Sequence, residues 1–131
     1  MTGIAIFAHG SSVASANASV HAVAERFAAE GGYRLVETAF LELGKPDLQE
    51  AVGRLVSRGA TDILVIPYFL TLGIHLQRDL PSIVQGLESI YLGVSIAVTA
   101  PLDGHPALLQ VLLDRAKDAW DGGGGSERQI A

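Results

Sequence analysis

The sequence contains no cysteine. That absence removes disulfides, thiolate nucleophiles and cysteine-held zinc or iron–sulfur centres together. Any transition metal handled here must be met by imidazole and carboxylate, a donor set that suits Co2+, Ni2+, Fe2+ or Zn2+. Basic residues are also scarce, with 9 Lys and Arg against 14 Asp and Glu and a net charge of −5. No nucleic-acid partner is expected, because phosphate binding wants a basic face and none is visible. No apolar run approaches the ~20 residues needed to cross a bilayer, so no membrane association is expected. The N-terminus, Met1-Thr2-Gly3-Ile4, runs straight into a strand-like segment and lacks the basic start and cleavage site of a signal peptide. The expected location is therefore cytoplasmic. Three familiar signatures are missing too: G-x-G-x-x-G after the first strand, G-x-x-x-x-G-K-[ST], and the G-x-S-x-G elbow. No organic cofactor is expected.

What is present is a regular alternation of short apolar runs and longer helical patterns. The 131 residues, 49% of them hydrophobic, suffice for one compact domain and leave no room for two. Gly3 to Ala8 reads as a buried first strand, and Val13 to Glu30 as a helix stopped by Gly31-Gly32. Arg34 to Phe40 is the second strand. Asp47 is a plausible N-cap for a helix that carries Leu48, Ala51, Val52, Leu55 and Val56 and ends at Gly59. The near-continuous apolar run Asp62 to Leu70 predicts a strand buried on both faces of a parallel sheet. A helix from about Leu80 to Tyr91, a strand from Val94 to Ala100 and a helix from Pro106 to Trp120 complete the order. This βα alternation predicts an α/β fold: a single domain over residues 1–120, with an open, mainly parallel four-stranded sheet and helices on both faces. The glycine-rich tail, 121–131, has no apolar face to bury and is expected to be disordered.

Ligands of open α/β sheets bind beyond the carboxyl ends of the strands. Three of the four histidines, His9, His75 and His105, fall in segments that follow strands. His9 ends an apolar strand and has no packing purpose there, so it is read as a base or metal donor at the ligand-binding edge. The plainer alternative leaves it as a polar strand end, with Ser11 or Ser12 capping the helix. His75, in TLGIHLQRD, is read as a loop residue on the neighbouring strand exit. With His9 it could hold a divalent ion and leave positions open. Glu42, after the second strand, is either a solvated loop carboxylate or a third donor and proton acceptor. His105 precedes Pro106 and fits a turn residue near the helix start. His21, mid-helix, is expected to face solvent or a partner. Ser11 stands two residues from His9, which rarely makes a nucleophile–base pair.

The opening IAIFAHGSSVASAN resembles that of the CbiX-type sirohydrochlorin chelatases, where an apolar strand ends in HGS and a helix follows. The resemblance continues in AFLELGKPDLQEAV, GATDILVIPYFLTLGIHLQRDLP and APLDGHPALLQVLLDRA, in family order from Gly3 to Trp120. It implies a chelatase-like fold and a lyase-type enzyme that inserts Co2+ or Fe2+ into sirohydrochlorin, toward cobalamin or siroheme. The family's metal-site histidines carry over onto His9 and His75, and its acidic position onto Glu42. Ser11, Lys45 and Arg78 are the candidate contacts to the tetrapyrrole, the two cations through its carboxylates. The divalent metal is then substrate, with Ni2+ an alternative to Co2+ and Fe2+. A non-catalytic metal carrier or tetrapyrrole-binding module is the rival from another class. The chain resembles one half of the two-half members. One wall of a cleft is thus present, and a homodimer is expected to supply the other. Apolar positions on the last helix, Leu108, Leu109, Leu112 and Trp120, add to that expectation.

Overall fold

The computed structural model describes residues 1–123. The elements alternate as β1 (Thr2–Ala8), α1 (Ala14–Gly31), β2 (Leu35–Phe40), α2 (Leu48–Ser57), β3 (Asp62–Tyr68), α3 (Ile74–Ile90), β4 (Ser95–Val98) and α4 (Pro106–Gly123). The chain forms two compact units, Met1–Pro101 and a second that begins at Leu102 and holds α4. The first unit contains the whole sheet, ordered β2-β1-β3-β4 with every pair parallel. The expected four-stranded α/β architecture is present.

The period-2 pattern of β1 sends its side chains to two separate apolar layers. Ala5 and Phe7 join Leu48, Ala51, Val52 and Leu55 of α2 and Leu80, Val84 and Leu87 of α3 on one face. Ile4 and Ile6 meet Ala24, with Val20 and Phe27, of α1 on the other. A strand buried on both faces must sit mid-sheet, and β1 does, between β2 and β3. That position brings its C-terminal exit beside the exits of both neighbours. Among the described residues, no helix is long and apolar enough to cross a membrane.

The structure corrects the start of the third helix and the place of His75, and adds detail around His21, Ser11 and the end of α4. Helix α3 begins at Ile74, six residues before the expected Leu80, because Pro81 lies inside the helix and not at its start. His75 therefore stands in the first turn of α3 and not on a loop. His21 does not simply face solvent: its Nδ1 lies 2.7 Å from the hydroxyl of buried Thr38, and its ring meets Phe40 edge-on at 5.3 Å. The residue following Val20 on α1 is turned toward β2, where Thr38 needs a partner. Neither Ser11 nor Ser12 caps α1. The N-cap is Val13, which makes no side-chain cap, while Ser11 Oγ accepts from the Val13 amide at 3.0 Å. At the chain end, α4 runs through the first residues of the glycine-rich tail to Gly123, and the rest of that tail lies outside the described residues.

Asp47 caps α2 as expected, in a reciprocal box with Glu50: the Glu50 amide donates to Asp47 Oδ1 at 2.9 Å, and the Asp47 amide donates to Glu50 Oε1 at 3.0 Å. Asp47→Ala should cost about 1 kcal/mol of stability. The Asp47 backbone hydrogen bond, followed by the Lys45 ammonium, holds the Glu50 carboxyl below its ordinary 4.5. A carboxyl depressed in the folded state stabilises above its unfolded pKa, and that contribution is lost as pH falls through the folded value. Glu50→Gln should therefore flatten the stability curve below pH 4.5, as read by denaturant unfolding across a pH series. An unchanged acid limb contradicts this.

Candidate functional site

The site is built where the β1–β2 ladder outruns its strands. Register pairs Ala8 with Phe40, and the pairing continues outward. The Leu41 amide donates to the Ala8 carbonyl at 2.9 Å, and the Glu42 amide donates to the His9 carbonyl at 3.0 Å. His9 and Glu42 thus leave the sheet side by side. Their side chains converge, with His9 Nε2 3.7 Å from Glu42 Oε1, each more than half exposed. The other ring nitrogen, Nδ1, lies 3.1 Å from the Gly10 carbonyl. With the proton on Nδ1 it donates to that carbonyl, and Nε2 then presents its lone pair beside the carboxylate. An imidazole lone pair next to a carboxylate is a donor pair for a divalent cation, or a route for a proton.

Two further features fix this corner. Gly10 adopts φ +92°, and a Cβ there would stand 1.6 Å from the Glu42 carbonyl oxygen, so the two loops touch backbone to backbone. The His9 ring meets Phe69 edge-on at 6.2 Å, and Phe69 meets Phe7 at 5.7 Å, so an aromatic chain runs from the core to the imidazole. The sequence reading passed over Phe69, although an aromatic at the end of DILVIPYFL was its signal.

His75 stands at the exit of the adjacent strand, β3, exposed in the first turn of α3. Its Nδ1 lies 3.5 Å from Arg78 Nη2, and Arg78 Nε donates to Asp79 at 2.9 Å. That hydrogen bond raises the Arg78 guanidinium and holds the Asp79 carboxyl below its usual range. Lys45 pairs with Glu50 at 3.2 Å. Both candidate substrate cations therefore have partners on the chain itself. Exposed pairs of this kind are held weakly and exchange readily for another carboxylate. Ser11 lies in the same loop as His9, its backbone held by Asn17. His105 accepts from the Ala107 amide at 3.0 Å and so caps α4, in the second unit.

The structure brings His9 and Glu42 together and places His75 on the neighbouring strand exit. Among the described residues, no three His, Asp or Glu side chains gather around one point. The edge is open and apolar at its rim: Leu41, Leu43, Leu70 and Ile74 are all exposed, Ile74 at 81%. Ile74 exposes its apolar side chain in the first turn of α3, next to His75.

The CbiX family model matches residues 3–119. The chain is 36% identical over 113 residues to the chloroplastic sirohydrochlorin ferrochelatase of Arabidopsis thaliana, covering 86% of this chain and 50% of that one. It is 29% identical over 140 residues to the sirohydrochlorin cobaltochelatase of Methanopyrus kandleri, covering 91% of this chain and 97% of that one. The crystal structure of the sirohydrochlorin chelatase SirB from Bacillus subtilis subspecies spizizenii, in complex with cobalt, matches with a TM-score of 0.82 at 28% identity. That match covers 89% of this chain and 50% of SirB. The chain thus spans about half the length of the plant and Bacillus proteins and nearly all of the Methanopyrus one.

The Gly10 contact generates a direct test. Gly59 also has a left-handed backbone, at φ +103°, but a Cβ there meets nothing within 4 Å. Both Gly→Ala changes incur the backbone strain of about 1–3 kcal/mol. Gly10→Ala alone adds the clash with Glu42, so it should destabilise clearly more than Gly59→Ala in urea unfolding. Equal losses would show that the two loops are not in contact.

Proposed function

The chain belongs to the CbiX family, and from that premise we propose that it inserts a divalent cation, Co2+ or Fe2+, into sirohydrochlorin. The observation that carries this reading is the His9–Glu42 pair at the strand exits, the imidazole Nε2 and the carboxylate converging at 3.7 Å. The cation is substrate, and the protein must bind it without trapping it. An exposed imidazole–carboxylate pair with open positions meets that need better than a closed cage.

Metallation removes two pyrrole N–H protons as one M2+ enters the ring, so charge is conserved while the protons need acceptors. In this reading His9 and His75 hold the cation from neighbouring strand exits, Glu42 beside it accepts one of the two protons, and the other passes to solvent water at this open edge. Arg78 and Lys45 exchange Asp79 and Glu50 for carboxylates at the macrocycle edge, and Ser11 lies in the loop beneath. The apolar rim of Leu41, Leu43, Leu70 and Ile74 suits the flat faces of the ring.

The same geometry supports a homodimer. The apolar groove along α3, lined by Leu72, Gln77, Leu80, Pro81, Val84 and Val98, measures about 260 Å³, below the usual range for a drug-sized ligand. A tetrapyrrole is larger and must lie along the open edge. The chain matches half of SirB, so a second copy facing the first would supply the opposite wall.

The test is the absorbance change of sirohydrochlorin with Co2+, Fe2+ or Ni2+ and substoichiometric protein. Steady conversion is expected with Co2+ or Fe2+; a change that stops at one equivalent means a carrier or binding module instead. His9→Ala and His75→Ala should each lower kcat by about 100-fold or more with an unchanged circular dichroism spectrum. A folded variant at the wild-type rate removes that residue from the machinery. Light scattering at micromolar concentration should give twice the 13.7 kDa chain mass. An active monomer overturns the shared cleft.

A further inference from the structure

Asn17 has no role in the reading above, yet its side chain joins the two loops that carry the reacting pair. Its Nδ2 donates to the Ser11 carbonyl at 2.8 Å and to the Leu43 carbonyl at 2.8 Å, and its Oδ1 accepts from the Ser11 amide at 2.9 Å. Both amide hydrogens and the oxygen are engaged, and every partner is backbone. Ser11 is two residues beyond His9, and Leu43 is the residue after Glu42.

None of these bonds serves the helix that bears Asn17. Helix α1 begins at Ala14 with Val13 as N-cap, so Asn17 is the fourth helical residue, past the usual capping position. Its amide is directed out of the helix at loops from two different strands. The conformation it holds is not one that the loops adopt cheaply. Leu43 sits at φ 55°, in the left-handed region that favours glycine, and from there its carbonyl reaches Asn17. Gly44 packs alongside, and a Cβ there would lie 3.1 Å from Asn17 Nδ2.

We propose that Asn17 is a positioning residue that locks the β1 and β2 exit loops together and thereby sets the spacing of His9 and Glu42. This rests on the reading of His9 and Glu42 as a cation-handling pair. Groups that orient metal-binding side chains without touching the metal commonly change affinity by about 10–100-fold when removed.

The test is a double-mutant cycle in the full-length protein, read by calorimetric titration with Co2+ alone. Asn17→Ala and Asn17→Asp are used together. The aspartate keeps the acceptor for Ser11 but turns an oxygen toward two carbonyls, so it removes the donors with little change of shape. Each should stay folded by circular dichroism and weaken Co2+ by about tenfold. Each should be non-additive with Glu42→Gln: once Glu42 is altered, losing Asn17 should cost little more. With sirohydrochlorin, kcat should fall while KM stays near the wild-type value. Unchanged Co2+ affinity in either folded variant, or losses that simply multiply with Glu42→Gln, overturns the proposal. A wild type that binds Co2+ but does not convert sirohydrochlorin fails the assigned reaction only, because the cycle is read without the tetrapyrrole.

Discussion

The site depends on two hydrogen bonds that lie outside any strand. The Leu41 amide to the Ala8 carbonyl and the Glu42 amide to the His9 carbonyl carry parallel pairing past the ends of β1 and β2. Parallel ladders are regular, so extending one by two residues fixes where the next side chains emerge. An imidazole and a carboxylate that would wander on free loops instead meet at 3.7 Å. Gly10 and the core follow from the same constraint. The loops can approach this closely only without a Cβ at Gly10. The strands can end together only because β1 is pinned on both faces by α1 on one side and α2 and α3 on the other.

This arrangement suits a reaction in which the metal must pass through. A chain without cysteine cannot hold a cation by thiolate, and imidazole and carboxylate bind first-row divalent ions without the tenacity of sulfur. The pair is exposed, and Lys45 and Arg78 are each held in exposed surface ion pairs with Glu50 and Asp79, contacts worth little in water and so open to exchange.

Much of the architecture was legible in the residues because local signals agreed. Apolar runs alternated with helical periods, Asp47 announced a cap, and β1 and β3, which pack on both faces, read as near-continuous apolar stretches. The histidines on strand exits were legible through a topological rule. What failed did so where tertiary contacts override local pattern. The third helix was expected from about Leu80, but the six residues before Leu80 are helical too, so His75 moved from a loop to a first turn. His21 is exposed, as its place on the helix allowed, but only the neighbouring β2 reveals Thr38 as its hydrogen-bond partner. Asn17 was invisible for the same reason: its partners lie 6 and 26 residues away, and all are backbone groups that no side-chain pattern encodes.

The central claim is that the metal is received at this sheet edge, between the exits of the central strand and its neighbours. Titration of Co2+ into protein labelled with 15N at histidine tests it most directly, because the paramagnetic ion broadens the rings it approaches. The account predicts that the His9 and His75 resonances broaden first, at lower Co2+ than His21, whose Nδ1 is engaged with the Thr38 hydroxyl. Broadening centred on His21 with His9 untouched would contradict it.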